Sequence, residues 1–201
     1  MRTGHSQNDE EAVILKYFKT TTPACFLDIG AHDGVTFSNT RALAELGWTG
    51  TLVEPSPAAF QSLMNTYKDR PEMNLVNAAM VPTAAKVIRF YDSGGDMIST
   101  VDEKHRALWA TNPKVNYRAI HVAGISVDML LAALPGPYTF VNLDVEGINY
   151  ELFAQLPLCE LAVQLVCVEY QDKLAAVEAR AVQQGYQRLH LTGENVIYAR
   201  R

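Results

Sequence analysis

Cysteine is scarce in this 201-residue sequence: Cys25, Cys159 and Cys167 are its only three. Three cannot all pair, and none sits in a CxxC or Cys/His spacing, which excludes a disulfide framework and a zinc module. Cys25 and Cys167 lie in apolar runs that read as strands, where a thiol is a small core residue. A reducing compartment is the expectation. Basic residues are also few: 17 Lys and Arg against 22 Asp and Glu leave a formal charge of -5. That balance argues against a phosphate-binding face, so no nucleic-acid partner is expected. A small basic pocket, for instance for a sugar phosphate, stays compatible with it. No apolar run reaches the roughly 20 residues of a membrane span. The opening "MRTGHSQNDEEAV" lacks the apolar core of a leader peptide. The sequence therefore predicts a cytoplasmic protein with no membrane partner. Internal repeats and low-complexity linkers are missing too.

What is present is alternation. At this length one domain spanning 1–201 is expected, with enough chain for a full α/β core. "NDEEAVILKYFK" (8–19) reads as a helix with Asn8 as N-cap and acids in its first turn. "ACFLDI" (24–29) is an apolar run ending in an acid, the mark of a strand buried on both faces. A helix over 35–47 closed by Gly47, a strand over 50–55, a helix over 57–68 and a strand over 73–81 follow. The pattern then breaks. "KVIRFYD" (86–92) and "YRAIHVAGI" (117–125) alternate like two-sided strands around a Gly/Ser segment and a short helix near 102–110. An inserted antiparallel segment, about 84–124, is expected to shape specificity. Its charges and rings (Lys104, His105, Arg106, Lys114, Arg118, Tyr91, Trp109, Tyr117) suit either a solvated surface or contact with an anionic or glycosidic acceptor. Alternation resumes with a helix over 126–134 capped by Ser126, a strand over 138–145, a helix over 148–156, a strand over 162–170 and a helix over 171–185. Two short strands around "TGEN" end the chain as a predicted hairpin.

Strands alternating with helices predict a mostly parallel sheet covered on both faces, with ligands bound outside the carboxyl ends of the strands. Polar or acidic groups fall at those ends: Asp28, Glu54, Asn77, Asp144 with Glu146, and Glu169. In "CFLDIGAHDG", Gly30 permits a tight turn and Gly34 lets the next helix pack closely. Glu54, 26 residues after Asp28, is placed to accept both hydroxyls of an adenosine ribose. The dinucleotide fingerprint GxGxxG would need glycines at 30, 32 and 35, but His32 and Val35 stand at the last two. A pyrophosphate against this turn is disfavoured. A phosphate-free adenosyl ligand fits, and S-adenosylmethionine is such a ligand.

The same residues carry a resemblance. Asp28-x-Gly30-x-His32-x-Gly34 resembles motif I of class I S-adenosylmethionine-dependent methyltransferases, with the middle glycine replaced. "FLDIGAHDG", "SNT", "GWTGTLVEPSPAAF", "VNAAM", "SVDMLL" and "NLDVEGINYELF", running in order from about residue 26 to 156, resemble the FkbM-type methyltransferases, as does the opening "SQNDEE". The resemblance implies a Rossmann-like seven-stranded sheet in the order 3-2-1-4-5-7-6 with the last strand antiparallel. It also implies methyl transfer to oxygen, commonly a hydroxyl of a sugar or another small molecule. By matched position it implies Asp28, Gly30, Ala31, His32 and Gly34 around the methionine moiety, with Ser38, Asn39 and Thr40 assisting. Glu54 would hold the ribose, Pro55 would flank it, and Asn77 with Ala78 would lie by the adenine. Asp144 would approach the methionine amino group or the reacting centre, and Glu146 would face a small-molecule or glycan acceptor.

A sulfonium methyl is already activated, so the protein's expected tasks are alignment, water exclusion and handling of the acceptor's proton. Glu146 is the first candidate base; Asp144, Glu169 and His121 rank below it. Asp144, Glu146 and Glu169 are an alternative oxygen set for a divalent metal, without a spacing signature to favour it. A Rossmann-type oxidoreductase is disfavoured by the missing glycines. A non-catalytic S-adenosylmethionine-binding protein would not need both Asp144 and Glu146.

Overall fold

The computed structural model describes residues 4–83, 85–94 and 97–201. The first residue of the expected insertion (84) and two residues of its Gly/Ser segment (95–96) lie outside the described residues, as do residues 1–3. In chain order the elements are α1 (Glu10–Tyr17), β1 (Cys25–Ile29), α2 (Arg41–Glu45), β2 (Thr49–Val53), α3 (Pro57–Thr66), β3 (Asn74–Val76), β4 (Ala79–Met80) and β5 (Ala85–Asp92). They continue with α4 (Glu103–Trp109), β6 (Arg118–Ile125), α5 (Val127–Ala133), β7 (Phe140–Leu143), α6 (Asn149–Phe153), β8 (Leu165–Glu169), α7 (Leu174–Gln183), β9 (Tyr186–Leu191) and β10 (Asn195–Arg200).

Seven strands form one sheet in the order β3-β2-β1-β7-β8-β10-β9. Numbered within that sheet alone this is 3-2-1-4-5-7-6, and β10 runs antiparallel to both of its neighbours. The strands β1, β2, β7 and β8 are buried almost throughout because both of their faces are covered. Successive side chains go to opposite faces. Leu27, Ile29, Val141, Leu143, Val166 and Val168 enter one core cluster with α5, α6 and α7. Phe26, Phe140, Leu165 and Cys167 enter the other, with Ile14, Phe18, Leu43, Trp48 and Leu63. All three cysteines are free, with Cys25 and Cys167 in strands.

A three-stranded sheet, β4-β6-β5, carries the inserted segment, with β5 antiparallel to β6. The run over 73–81 is therefore not one strand. It leaves the main sheet after Val76, and β4 pairs with β6 instead. The helix expected over 35–47 is only α2. Phe37 takes φ +54 and bridges to Ser6, so residues 35–40 form a loop before the helix starts. Gly47, at φ +89, does end it. Asn8 is not the N-cap of α1. Asp9 holds that position without a side-chain cap, and Asn8 instead donates its side-chain amide to Glu10 and Glu194. Buried Glu10 also accepts from Thr192 and Asn195, which ties α1 to the β9–β10 turn. Ser126 caps α5 as expected, accepting from the Met129 amide. No helix among the described residues is long and apolar enough to cross a membrane.

Candidate active site

Strand register builds the floor of the site. Asp28 pairs laterally with Asn142, and Asn142 with Cys167, so the three side chains point to one face of the sheet. Asp28 sits on the face of Phe26, in a core where a bare carboxylate would be costly. Its two oxygens are met by Thr40 Oγ1 at 2.6 Å and Asn142 Nδ2 at 2.9 Å. Asn39 Nδ2 donates in turn to Asn142 Oδ1 at 3.0 Å. Burial raises the Asp28 carboxyl above its ordinary range, against the opposing pull of these two donors.

The glycine turn follows directly. Gly30 has φ +92, and a Cβ there would stand 1.6 Å from the carbonyl oxygen of Asp144. His32 has φ +50, so the residue replacing the motif's middle glycine keeps a left-handed backbone. The turn's amides are spent on protein acceptors. Gly30 and Ala31 donate to the Val53 carbonyl, Gly34 to Ala31, and Val35 and Thr36 to the Asp33 carboxylate. His32 N–H donates to Glu54 Oε2 at 2.9 Å, while Ser56 N–H donates to Oε1 at 2.7 Å. Burial pushes Glu54 up to about 7, against those two donors.

Asp144, Glu146 and Glu169 converge beyond this turn, with one oxygen of each within 4.8 Å of the others. Burial, together with the charge of Glu146, raises Asp144; burial and both neighbouring carboxylates raise Glu169. Such crowding is relieved when carboxyls keep a proton. Asn149 clamps the group: its amide donates to Glu169 at 2.6 Å, and its oxygen accepts from the Val145 N–H. Glu146 and Gly147 have φ +54 and +109, and His105 Nε2 of α4 lies 2.9 Å from Glu146 Oε2.

These groups border an open cleft of about 1210 Å³ at the carboxyl ends of the parallel strands. Of the residues singled out from sequence, Asp28, Gly30, Ala31, His32, Ser38, Glu54, Pro55, Ala78, Asp144 and Glu146 line it. Asn39 and Thr40 stand behind it in the Asp28 network, and Gly34 packs against Leu63 and Tyr67. Asn77 turns its amide to the carbonyls of Glu54 and Pro55 and holds that bend. His121 is exposed on β6, outside the cleft lining. From the insertion, Lys104, His105 and Trp109 reach the cleft, whereas Arg106 lies over the Tyr91 ring and Tyr117 ties to the Ile98 carbonyl. Asn142 and Asn149 were not anticipated. Asn142 sits one strand over from Asp28, and only register reveals it. Asn149 had a signal in being a polar residue at the start of a helix beside the "DVEG" turn.

A seven-stranded sheet with a reversed penultimate strand and an acidic cleft at its carboxyl edge defines a Rossmann-like methyltransferase fold. Residues 28–187 match the model of the methyltransferase FkbM domain, and the chain belongs to that family. It is by family a methyltransferase, which implies S-adenosylmethionine as donor. No curated protein matches it significantly in sequence. Solved structures share the fold. The candidate methyltransferase yhhF of Escherichia coli has a TM-score of 0.53 at 14% identity, covering 98% of this chain and 87% of its own. The precorrin-6y C5,15-methyltransferase of Geobacter metallireducens GS-15 has a TM-score of 0.51 at 12% identity, with 100% and 93% covered. The ribosomal protein L11 methylase of Lactobacillus delbrueckii subsp. bulgaricus has 0.51 at 13%, with 95% and 77% covered.

Proposed function

We propose that the chain is an S-adenosylmethionine-dependent methyltransferase acting on a hydroxyl oxygen of a small molecule or glycan. The observation that carries the donor assignment is the state of the glycine turn. A pyrophosphate needs a nest of free amides, and here six amides of residues 30–36 are satisfied by protein oxygens. One of those oxygens belongs to Glu54, whose carboxyl, once ionised, would repel a phosphate. The donor set suits a phosphate-free, positively charged adenosyl ligand. Each Glu54 oxygen accepts one backbone N–H and keeps a second lone pair for a ribose hydroxyl.

When bound, S-adenosylmethionine supplies a methyl group already activated on a sulfonium sulfur. Gly30, Ala31 and His32 form the wall along its methionine end, with Asp28 and Asp144 as the acidic groups there. Thr40 and Asn39 act through Asp28, and Gly34 through packing. Glu54 receives the ribose, Pro55 and Ala78 flank the base, and Asn77 fixes the Glu54–Pro55 bend. Glu146 is the group to accept the proton that the acceptor hydroxyl loses; the bound donor would give up its methyl group and keep the carbon–sulfur bonding pair on sulfur. A general base of this kind contributes roughly 10²–10⁴-fold.

Among the described residues, nine carboxyl side chains and two lysines line the cleft, and one of those lysines, Lys173, is paired with Glu151. That balance favours an uncharged acceptor over a phosphorylated one. Trp109 and Leu108 offer it an apolar wall. Transfer of label from methyl-labelled S-adenosylmethionine to pooled hydroxylated metabolites and glycans tests the reading. Label in a hydroxyl product supports it; a protein that binds the donor yet labels nothing in the pool contradicts the acceptor class.

A further inference from the structure

We propose that His105 is a positioning residue for methyl transfer: it holds the Glu146 carboxylate, and the insertion carrying it holds the turn on which Glu146 stands. The proposal rests on the assignment of Glu146 to the acceptor's proton.

Two consecutive left-handed residues, Glu146 and Gly147, make a turn that does not sustain itself. A non-glycine residue there is strained and persists only where its surroundings over-determine it. Those surroundings come from the insertion. Buried Thr100 donates its hydroxyl to the Glu146 carbonyl and accepts the Asp102 N–H at 2.9 Å, so one oxygen joins the start of α4 to the turn. Asp102 caps α4 by accepting from the Lys104 N–H. At Gly147 a Cβ would come within 2.8 Å of Asp102 Cβ and 3.2 Å of His105 Cβ, so α4 rests directly on the backbone of the turn. His105 Nε2 then stands 2.9 Å from Glu146 Oε2, within ion-pair reach though not in the alignment of a hydrogen bond, with the two side chains only 12% and 19% exposed.

Asp144 and Glu169 crowd the same carboxylate. His105 is the basic side chain that faces Glu146 from the insertion. With α4 packed on Gly147 and Thr100 bonded to the Glu146 carbonyl, the imidazole stands as a polar stop that sets the direction of the carboxylate across the cleft. Alignment is where such a contact acts, since a misplacement of about 1 Å costs on the order of 10²-fold.

The test compares His105→Leu, His105→Gln and Thr100→Val with the wild type. Gln sets an amide N–H near the position of Nε2 and so retains a donor. Three quantities are measured: S-adenosylhomocysteine affinity by calorimetry, amide hydrogen exchange of residues 145–148, and kcat and KM with whichever acceptor the labelling screen identifies. His105→Leu and Thr100→Val should speed exchange about tenfold and leave S-adenosylhomocysteine affinity within twofold. His105→Leu should lower kcat by roughly 10²-fold with little change in KM. His105→Gln should recover most of the kcat. Unchanged exchange in both His105→Leu and Thr100→Val overturns the proposal whether or not an acceptor is known. A His105→Gln variant as slow as His105→Leu overturns it as well. If the wild type does not bind S-adenosylhomocysteine, the functional reading fails, and the exchange data still judge the turn.

Discussion

The carbonyl oxygen of Asp144 occupies the space where a side chain on Gly30 would begin, 1.6 Å from an ideal Cβ. The first and fourth parallel strands thus close on each other through backbone, and the cleft floor has no room for a methyl group. Gly30→Ala combines that clash with a left-handed backbone at φ +92. It should cost about 4 kcal/mol or more, at the severe end for single substitutions. Urea denaturation checks this; a loss below about 1 kcal/mol would show that the strands can part.

Thr40 is buried for the sake of Asp28. Thr40→Val keeps the shape and removes the donor, leaving a buried carboxyl oxygen unsatisfied at a cost of about 1–3 kcal/mol. Stability should fall by that amount, with S-adenosylhomocysteine affinity falling too as the Asp28 side chain relaxes. Lost stability with full affinity would confine Asp28 to a structural role.

Glu54 sets a pH dependence. Its folded carboxyl holds a proton up to about 7, whereas the unfolded side chain releases it near 4.5. Between those values the folded state binds more protons, so stability declines as pH rises. The contribution is fully present below about 4.5 and lost through 7, on the order of 3 kcal/mol. Glu169, raised in the same sense, adds to it. The melting temperature of the ligand-free protein should therefore fall between pH 5 and pH 8, and less so in Glu54→Gln. An identical slope in the two proteins would contradict the burial argument.

Glu146→Gln should lower turnover roughly 10²–10⁴-fold while S-adenosylhomocysteine binding survives. Full activity in that variant removes Glu146 from proton transfer. Added chelator should leave the wild-type rate unchanged; a rate restored only by a divalent cation would instead make Asp144, Glu146 and Glu169 its ligands.

Much of the fold was legible because buried parallel strands are continuous apolar runs, and their acidic ends mark where they stop. Asp28, Glu54 and Asp144 could be found that way. The split after Val76 could not, since "MNLVNAAMV" stays apolar while its strand changes sheets, a choice made by pairing with β6. The loop over 35–40 was hidden for a related reason. "VTFSNTRALAELG" has helical composition, but Asp33 captures the Val35 and Thr36 amides and Phe37 bridges to Ser6. His105 belongs to a segment whose charges suit a solvated surface as well as contact with an acceptor. Only the packing of α4 on Gly147 brings it to Glu146.

The central claim is that the cleft holds a phosphate-free adenosyl ligand through Glu54. Calorimetric titration of S-adenosylhomocysteine into the wild type and Glu54→Ala tests it most directly. The account predicts saturable binding to the wild type, weakened at least tenfold, about 1.4 kcal/mol, in the variant. No binding to the wild type, or equal affinity in the two proteins, would contradict it.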